Sequence, residues 1–439
     1  MVSKLRYGGS MGIKAVLGCL YGDEGKAKIV DALAGEVDVI IRFQGGSNAG
    51  HTIQFGKEKN VLHLIPSGIF HQNQICVLAS GVVIDLFQLE KEMTALEAKS
   101  VVFKGRFYID ERASIVLPIH KTIDQMNEDT TLSTKIGTTL RGIGPCYADS
   151  ISRIGIKMYD LHNKEILSQK ISEIYKKHKM EISDKELIEL SDSLHNFSIT
   201  LKDCIINLPY LLDDWIKKGK EILFEGAQGS LLDVYFGTYP FVTSSHTIAG
   251  GISSSVGCSP KKIDKIIGVY KSYFTRVGSG PFPTELTDEI GDKIRKQGNE
   301  YGSTTGRPRR CGWFDIVSAK YSAMINGIDM IALTLLDVLS GIEKLKICVG
   351  YEYITNDSKL SLKNPSRQME FPADSSLLGL VKPKYIELCG WNEDLSFCKE
   401  WNALPKNAQI YVKTIEELLC VPINIISIGP KREQTIYIK

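Results

Sequence analysis

The sequence predicts an α/β fold: a large, mostly parallel central sheet with helices on both faces, entered through a P-loop-like variant phosphate loop and carrying a helical insertion. Three observations lead there. Short apolar runs recur along the 439 residues, and several are continuous instead of alternating, the mark of strands buried on both faces. Segments with helical spacing separate them. A glycine-rich loop directly follows the first run.

Taken in order, residues 13–17 are the first run, ending at Gly18, and Ile29, Val30, Ala32 and Leu33 supply the helical pattern after the loop. Further strands are predicted at 37–43, 75–79, 107–110, 222–224, 266–270 and 330–336. Between Leu161 and Lys220 the apolar residues Ile166, Ile171, Ile174, Leu187, Leu190 and Leu194 stand at helical spacing among many charges, which places the helical insertion near 161–220. Residues 1–10 read as an N-terminal extension, and 11–439 as one large α/β domain with insertions or, by length alone, about three domains.

Composition removes several classes of function. Lys plus Arg is 53 and Asp plus Glu is 51, so a net charge of +2 provides no field to recruit nucleic acid or an anionic membrane. Ten cysteines lie scattered without a CxxC pair, which predicts reduced thiols and a cytoplasmic protein. The start lacks an apolar signal region, and the longest apolar run is about half of the roughly 20 residues a spanning helix needs.

Gly18 to Lys28 reads Gly-Cys-Leu-Tyr-Gly-Asp-Glu-Gly-Lys-Ala-Lys, between a strand and a helix. Glycines let backbone N–H groups approach an anion, the helix N-terminus adds positive potential, and Lys26 adds a point charge. A standard P-loop would have glycine at position 20 and a hydroxyl at 27, where this chain has Leu20 and Ala27. Asp23 and Glu24 are unfavourable in an anion loop unless one carboxylate serves a metal or a proton transfer. The plainer alternative is a tight glycine turn capped by Asp23.

A second glycine loop, Gln44-Gly-Gly-Ser-Asn-Ala-Gly-His51-Thr52, carries His51 beside Asn48. A histidine next to transferring phosphate can give up a proton and stabilise developing charge; the alternative is a solvent-facing loop histidine. His63 and His71 have no such setting and read as structural. Ser303 to Gly312 packs Arg307, Arg309 and Arg310 with Ser303, Thr304 and Thr305 into one loop held by Gly306 and Pro308, a composition suited to carboxylate or phosphate. Asp337, after the last apolar run, stands where a carboxylate can pair with guanine N1–H and N2 donors, or can simply cap a helix.

Six segments in one order, Gly22-Asp-Glu-Gly-Lys26, Gly45-Gly-Ser-Asn-Ala-Gly-His51, Arg141-Gly-Ile-Gly-Pro145, Phe224-Glu-Gly-Ala-Gln-Gly229, Arg276-Val-Gly-Ser-Gly-Pro-Phe-Pro-Thr-Glu285 and Thr304-Thr-Gly-Arg-Pro-Arg-Arg-Cys-Gly-Trp313, closely resemble the adenylosuccinate synthetase family from about Lys14 to Thr435. The resemblance implies a GTP- and magnesium-dependent ligase that joins IMP to L-aspartate through 6-phosphoryl-IMP. It implies Asp23 as base, His51 as acid, and Lys26 and Gln228 as further catalytic residues. GTP would meet Gly22, Asp23, Glu24, Gly25, Lys26, Ala27, Lys28, Gly50, His51, Thr52, Arg309, Leu335, Leu336, Asp337, Ser427, Ile428 and Gly429. IMP would meet Asp23 to Lys26, Asn48, Ala49, Gly50, His51, Thr139, Gln228, Thr243 and Arg307, with Arg153 arriving from the other subunit of a homodimer. Ser303, Thr304, Thr305, Gly306 and Arg307 would hold aspartate, and Asp23 with the Gly50 carbonyl would hold one magnesium per subunit.

Four positions depart from the family's usual residues: Tyr21 for tryptophan, Ala27 for glycine, Leu140 for glycine, and Leu335 for the lysine that lies against guanine. Leu335 gives up a cation–π contribution, so weaker guanine affinity is expected. A GTP-binding switch would use the phosphate loop alone and would not need Gln228 or the arginine loop. A catalytically weakened scaffold is the third reading that Leu140 and Leu335 leave open.

Overall fold

The computed structural model describes residues 12–55, 58–130, 135–302, 306–354 and 369–438. A ten-stranded sheet organises them. From one edge to the other its strands are Thr435–Tyr437, Ile423–Ser427, Met330–Thr334, Lys265–Lys271, Ile13–Gly18, Ile222–Glu225, Val39–Arg42, Ile75–Leu78, Phe107–Asp110 and Ile205–Ile206. All neighbours run parallel except the first two, which are antiparallel.

The continuous apolar runs have the expected consequence. On one face Val16, Ile40 and Leu223 pack with Ile29 and Val30 of the helix Lys26–Ala34. On the other, Ile41, Phe43 and Phe224 pack with Leu212 and Trp215 of the helix Leu208–Lys217. Ile13–Gly18 sits mid-sheet between two strands from much later in the chain, so the loops at the C-terminal ends of three central strands open onto one crevice.

Three details differ from the sequence reading. The run at 330–336 is strand only to Thr334; Leu335 then turns with φ 56° into a short 3-10 turn, Leu336–Leu339. The insertion holds three helices, Lys164–Lys177, Asp184–Thr200 and Leu208–Lys217, together with the edge strand Ile205–Ile206, which is too short to show a pattern. The strands Ile423–Ser427 and Thr435–Tyr437 extend the sheet at its far edge. The ten cysteines are unpaired, and no helix among the described residues is long and apolar enough to cross a membrane.

Candidate active site

The phosphate loop begins at Gly18, where close approach requires glycine: a Cβ would lie 2.4 Å from the Gln228 carbonyl oxygen and 2.8 Å from Lys26 Nζ. Asp23 holds φ 58°, Gly25 holds φ 83°, and the helix Lys26–Ala34 starts there. Its two carboxylates part company. Glu24 is fully buried, its Oε1 accepting the N–H groups of Leu20 at 3.0 Å and Gly22 at 2.9 Å, and its Oε2 accepting Lys26 Nζ at 2.6 Å. Glu24 therefore shapes the loop from inside and stays off the cleft wall, while Asp23 faces the cleft.

That cleft, about 440 Å³, gathers Gly22, Asp23, Gly25, Lys26 and Ala27 with Asn48, Ala49, Gly50, His51 and Thr52. Thr139, Gln228, Thr243, Arg307, Arg309 and Leu335 complete the wall. Arg309 Nε lies 2.8 Å from Asp23 Oδ2, and Arg309 Nη1 lies 2.7 Å from Glu300 Oε2. Buried Glu300 also accepts Lys271 Nζ at 2.8 Å and the Tyr273 hydroxyl at 2.5 Å. Burial alone would raise the Asp23 carboxyl, but Arg309, Lys271 and Lys26 outweigh it and hold the pKa below the usual carboxylate range. Lys271 and Glu300 escaped sequence reasoning because neither stands in a loop motif; only a lysine closing a buried strand marked the first.

His51 opens the strand His51–Phe55, and its Nδ1 lies 2.7 Å from Glu225 Oε1. Glu225 ends a fully buried central strand and also accepts the Ser67 hydroxyl at 2.6 Å and the Ser67 N–H at 2.8 Å. Burial depresses the His51 pKa, against the opposing pull of Glu225. Glu225 lies inside a segment that carries the family resemblance, yet nothing in the sequence shows that it meets a histidine 174 positions away.

Beside the phosphate loop, Asp124 organises the turn that bears Thr139: its carboxylate accepts the Thr138 hydroxyl at 3.0 Å and the Gly142 N–H at 2.9 Å. Leu140 sits in that turn with φ 56°. Gln228, also left-handed at φ 55°, carries a buried Oε1 without a hydrogen-bond partner among the described residues. Arg276, fully buried, stacks 4.4 Å over the Tyr21 ring and donates to the Thr238 hydroxyl and the Phe241 and Pro281 carbonyls. Tyr21 thus fills its space against Arg276, Phe274 and Phe282.

The proposed guanine end is held by Lys28, whose Nζ donates to Ser427 Oγ and the Gly429 carbonyl at 2.6 Å and to the Gln434 carbonyl at 2.8 Å. Burial pushes the Lys28 amine down to about 8. Asp337 Oδ1 is a buried acceptor without a partner among the described residues, and burial raises its pKa. Leu336 and Ile428 are core residues there. Arg153 follows the helix Ile143–Ile151 on the surface, outside the cleft wall. Gly306 is exposed near the rim, whereas Ser303, Thr304 and Thr305 lie outside the described residues. His63 meets the Ala49 carbonyl and His71 meets Asp31, which accords with structural roles.

An adenylosuccinate synthetase family model matches residues 15–436. The adenylosuccinate synthetase of Thermodesulfovibrio yellowstonii is 46% identical over 432 residues, covering 97% of this chain and 99% of the relative. That of Caldanaerobacter subterraneus subsp. tengcongensis is 44% identical over 436 residues, covering 98% and 100%. Among solved structures, the fully ligated adenylosuccinate synthetase of Plasmodium falciparum superposes with a TM-score of 0.90 at 40% identity, covering 98% of this chain and 100% of that one. A cyanophage S-2L succinoaminodeoxyadenylate synthetase, at TM-score 0.62 and 18% identity, shares the fold. Matched along nearly its whole length, with the phosphate loop, His51, Gln228 and the arginine loop converging on one cleft, the chain belongs to the adenylosuccinate synthetase family.

Proposed function

We propose a division of labour among the cleft residues for the family reaction, the GTP-dependent ligation of L-aspartate to IMP that gives adenylosuccinate, GDP and phosphate. The observation that carries it is the convergence of Asp23, Lys26, His51, Gln228, Arg307 and Arg309 on one wall. One catalytic domain, 11–439, supplies it.

Asp23, kept ionised by its cationic neighbours, takes the proton from purine N1, so that O6 attacks the γ-phosphorus and GDP departs. Arg309 meanwhile exchanges its contact with Asp23 for nucleotide phosphate. Lys26, at the helix N-terminus, offsets phosphate charge, and His51 meets the transferring group. Gln228 Oε1, a buried acceptor without a partner among the described residues, holds IMP together with Asn48, Thr139 and Thr243. The aspartate amine then attacks C6 of 6-phosphoryl-IMP, inorganic phosphate leaves, and the amine proton passes to solvent. Arg307 and the 303–306 loop hold the aspartate carboxylates.

Magnesium keeps several waters and takes few protein ligands, so one carboxylate, Asp23, and one carbonyl, Gly50, both on the cleft wall, fit it. Bound there, the ion would offset the negative charge of the nucleotide phosphates. Arg153 reaches the IMP phosphate of the other subunit in a homodimer, and the protein works in the cytoplasm.

An absorbance assay for adenylosuccinate with IMP, aspartate and magnesium tests this reading. Product with GTP but not ATP is the expected result. Hydrolysis of GTP that ignores IMP and aspartate would instead make the cleft a nucleotide switch.

A further inference from the structure

We propose that Glu225 is a positioning residue for His51: it fixes the ring so that Nε2 is the nitrogen presented to the cleft. The inference rests on His51 acting at the phosphoryl group. Glu225 is 0% exposed at the C-terminal end of a central strand, and its carboxylate receives three donors: His51 Nδ1–H, the Ser67 hydroxyl and the Ser67 N–H. A Ser67 N–H can only donate, and a carboxylate can only accept, so the His51 nitrogen 2.7 Å from Oε1 must carry the hydrogen. That leaves Nε2 for the cleft, which His51 lines.

A structural role alone does not explain this choice of residue. An ionised carboxylate is unfavourable in a sheet interior, and Arg42, in register with Glu225 on the adjacent strand, spends its guanidinium on the carbonyls of Gln44, Gly46, His63 and Leu64 instead. A neutral glutamine could satisfy Ser67 equally well, but it would reverse the histidine. Its carbonyl must face the Ser67 N–H, so its NH₂ would face His51 Nδ1 and turn the ring into the Nε2–H tautomer. Charge at position 225 therefore decides which nitrogen carries the hydrogen: the carboxylate keeps Nδ1–H while Nε2 takes up and gives the proton His51 supplies to the transferring group, and the amide, engaging the Nδ1 lone pair, does not. Ser67 begins the 3-10 turn Ser67–Phe70, which packs on the phosphate-loop helix, so the same contact ties the histidine to the loop that holds nucleotide.

The test compares Glu225→Gln, Glu225→Asp, His51→Asn and the double variant by steady-state kinetics, with ¹⁵N NMR of the imidazoles, the His51 signal being identified by its loss in His51→Asn. Glu225→Gln is expected to lower kcat about 10- to 100-fold with KM for IMP and GTP within about threefold, while the His51 signal moves from the Nδ1–H to the Nε2–H pattern. Glu225→Asp, which keeps the charge, recovers part of the loss. In the His51→Asn background Glu225→Gln costs less than about threefold more. Should Glu225→Gln fold poorly, Ser67→Ala, which removes one donor to Glu225, lowers kcat in the same direction by a smaller factor. The proposal is overturned by an unchanged kcat in Glu225→Gln, by an unchanged tautomer, or by losses that multiply in the double variant. For a poorly folding Glu225→Gln, unchanged kcat in both Ser67→Ala and Glu225→Asp overturns it. If His51→Asn itself keeps full activity, the histidine's role in the reaction fails first.

Discussion

Four residues on the cleft wall or in the turn beside it, Asp23, Leu140, Gln228 and Leu335, hold left-handed backbone with φ between 55° and 58°. For a residue with a Cβ this conformation costs roughly 1–2 kcal/mol, and such strain tends to collect where function requires a particular backbone. Leu140 holds this conformation without the glycine that the family resemblance leads one to expect there. Leu140→Gly is therefore expected to leave the turn intact and to raise stability by up to about 1 kcal/mol, part of the relief being offset by the entropy of an unfolded glycine. Thermal melting checks it, and a loss of stability would show that the leucine side chain contributes more than its backbone strain. Leu335 lies over the phosphate loop, 3.8 Å from where a Gly25 Cβ would sit. Leu335→Lys puts a cation near the proposed guanine site and should lower KM for GTP by about 2- to 30-fold, the range that 0.5–2 kcal/mol of cation–π attraction allows. A GTP KM that does not fall would place the base elsewhere.

Between residue and fold, a buried carboxylate hydrogen-bonded to two histidines holds helices in register with the cleft. Asp149 of the helix Ile143–Ile151 accepts His120 Nε2 at 3.1 Å from the helix Pro118–Thr130, and His178 Nε2 at 2.9 Å from the C-terminal end of the helix Lys164–Lys177. The Leu117 N–H donates to His120 Nδ1 at 3.0 Å, so Nε2 carries the hydrogen. The first two helices flank the turn that bears Thr139, so the insertion braces the proposed IMP side through one carboxylate. Asp149→Asn is expected to destabilise the fold by about 2–4 kcal/mol and to raise KM for IMP more than KM for GTP, as denaturant unfolding and kinetics would read. Burial alone would raise the Asp149 pKa, but the two histidines outweigh it and lower it. A depressed carboxylate contributes stability above its unfolded pKa of about 4, and that contribution is lost as pH falls through the folded value. Unfolding curves should therefore show a shallower acid decline in Asp149→Asn than in the parent chain. Sequence alone placed only the third of these helices, Lys164–Lys177, by its apolar spacing within the 161–220 insertion, and gave no helix at 118–130 or 143–151. It could not pair Asp149 with histidines 29 positions away on either side, because that contact exists only once the helices pack.

At the scale of the whole molecule, Arg153 lies outside the cleft wall, at the end of a helix whose last residue, Ile151, is 82% exposed. Sharing of Arg153 across a homodimer predicts a specific complementation. Arg153→Leu and Asp23→Asn should each be inactive alone, yet mixed and reassociated in equal amounts they should regain about a quarter of parental activity, since half the dimers are mixed and each has one complete site. No recovery, from mixtures shown to exchange subunits, would return Arg153 to the surface of its own protomer.

The sequence by itself determined the central buried strands other than Ile423–Ser427, the variant phosphate loop and the family, because each is written in residues adjacent along the chain: continuous apolar runs, glycines before a helix, and arginines in one loop. Even the need for a working carboxylate at Asp23 or Glu24 was legible, since charge in an anion loop requires a reason. Only the tertiary structure decided between them, turning Glu24 inward onto two N–H groups and Lys26 and leaving Asp23 in the cleft with Arg309. It also decided the partners of His51, the brace through Asp149 and the Lys271–Glu300–Arg309 chain. These contacts join segments far apart in sequence at the ends of parallel strands, where crossover connections separate neighbours in the sheet by tens to hundreds of residues and no local pattern records who will meet.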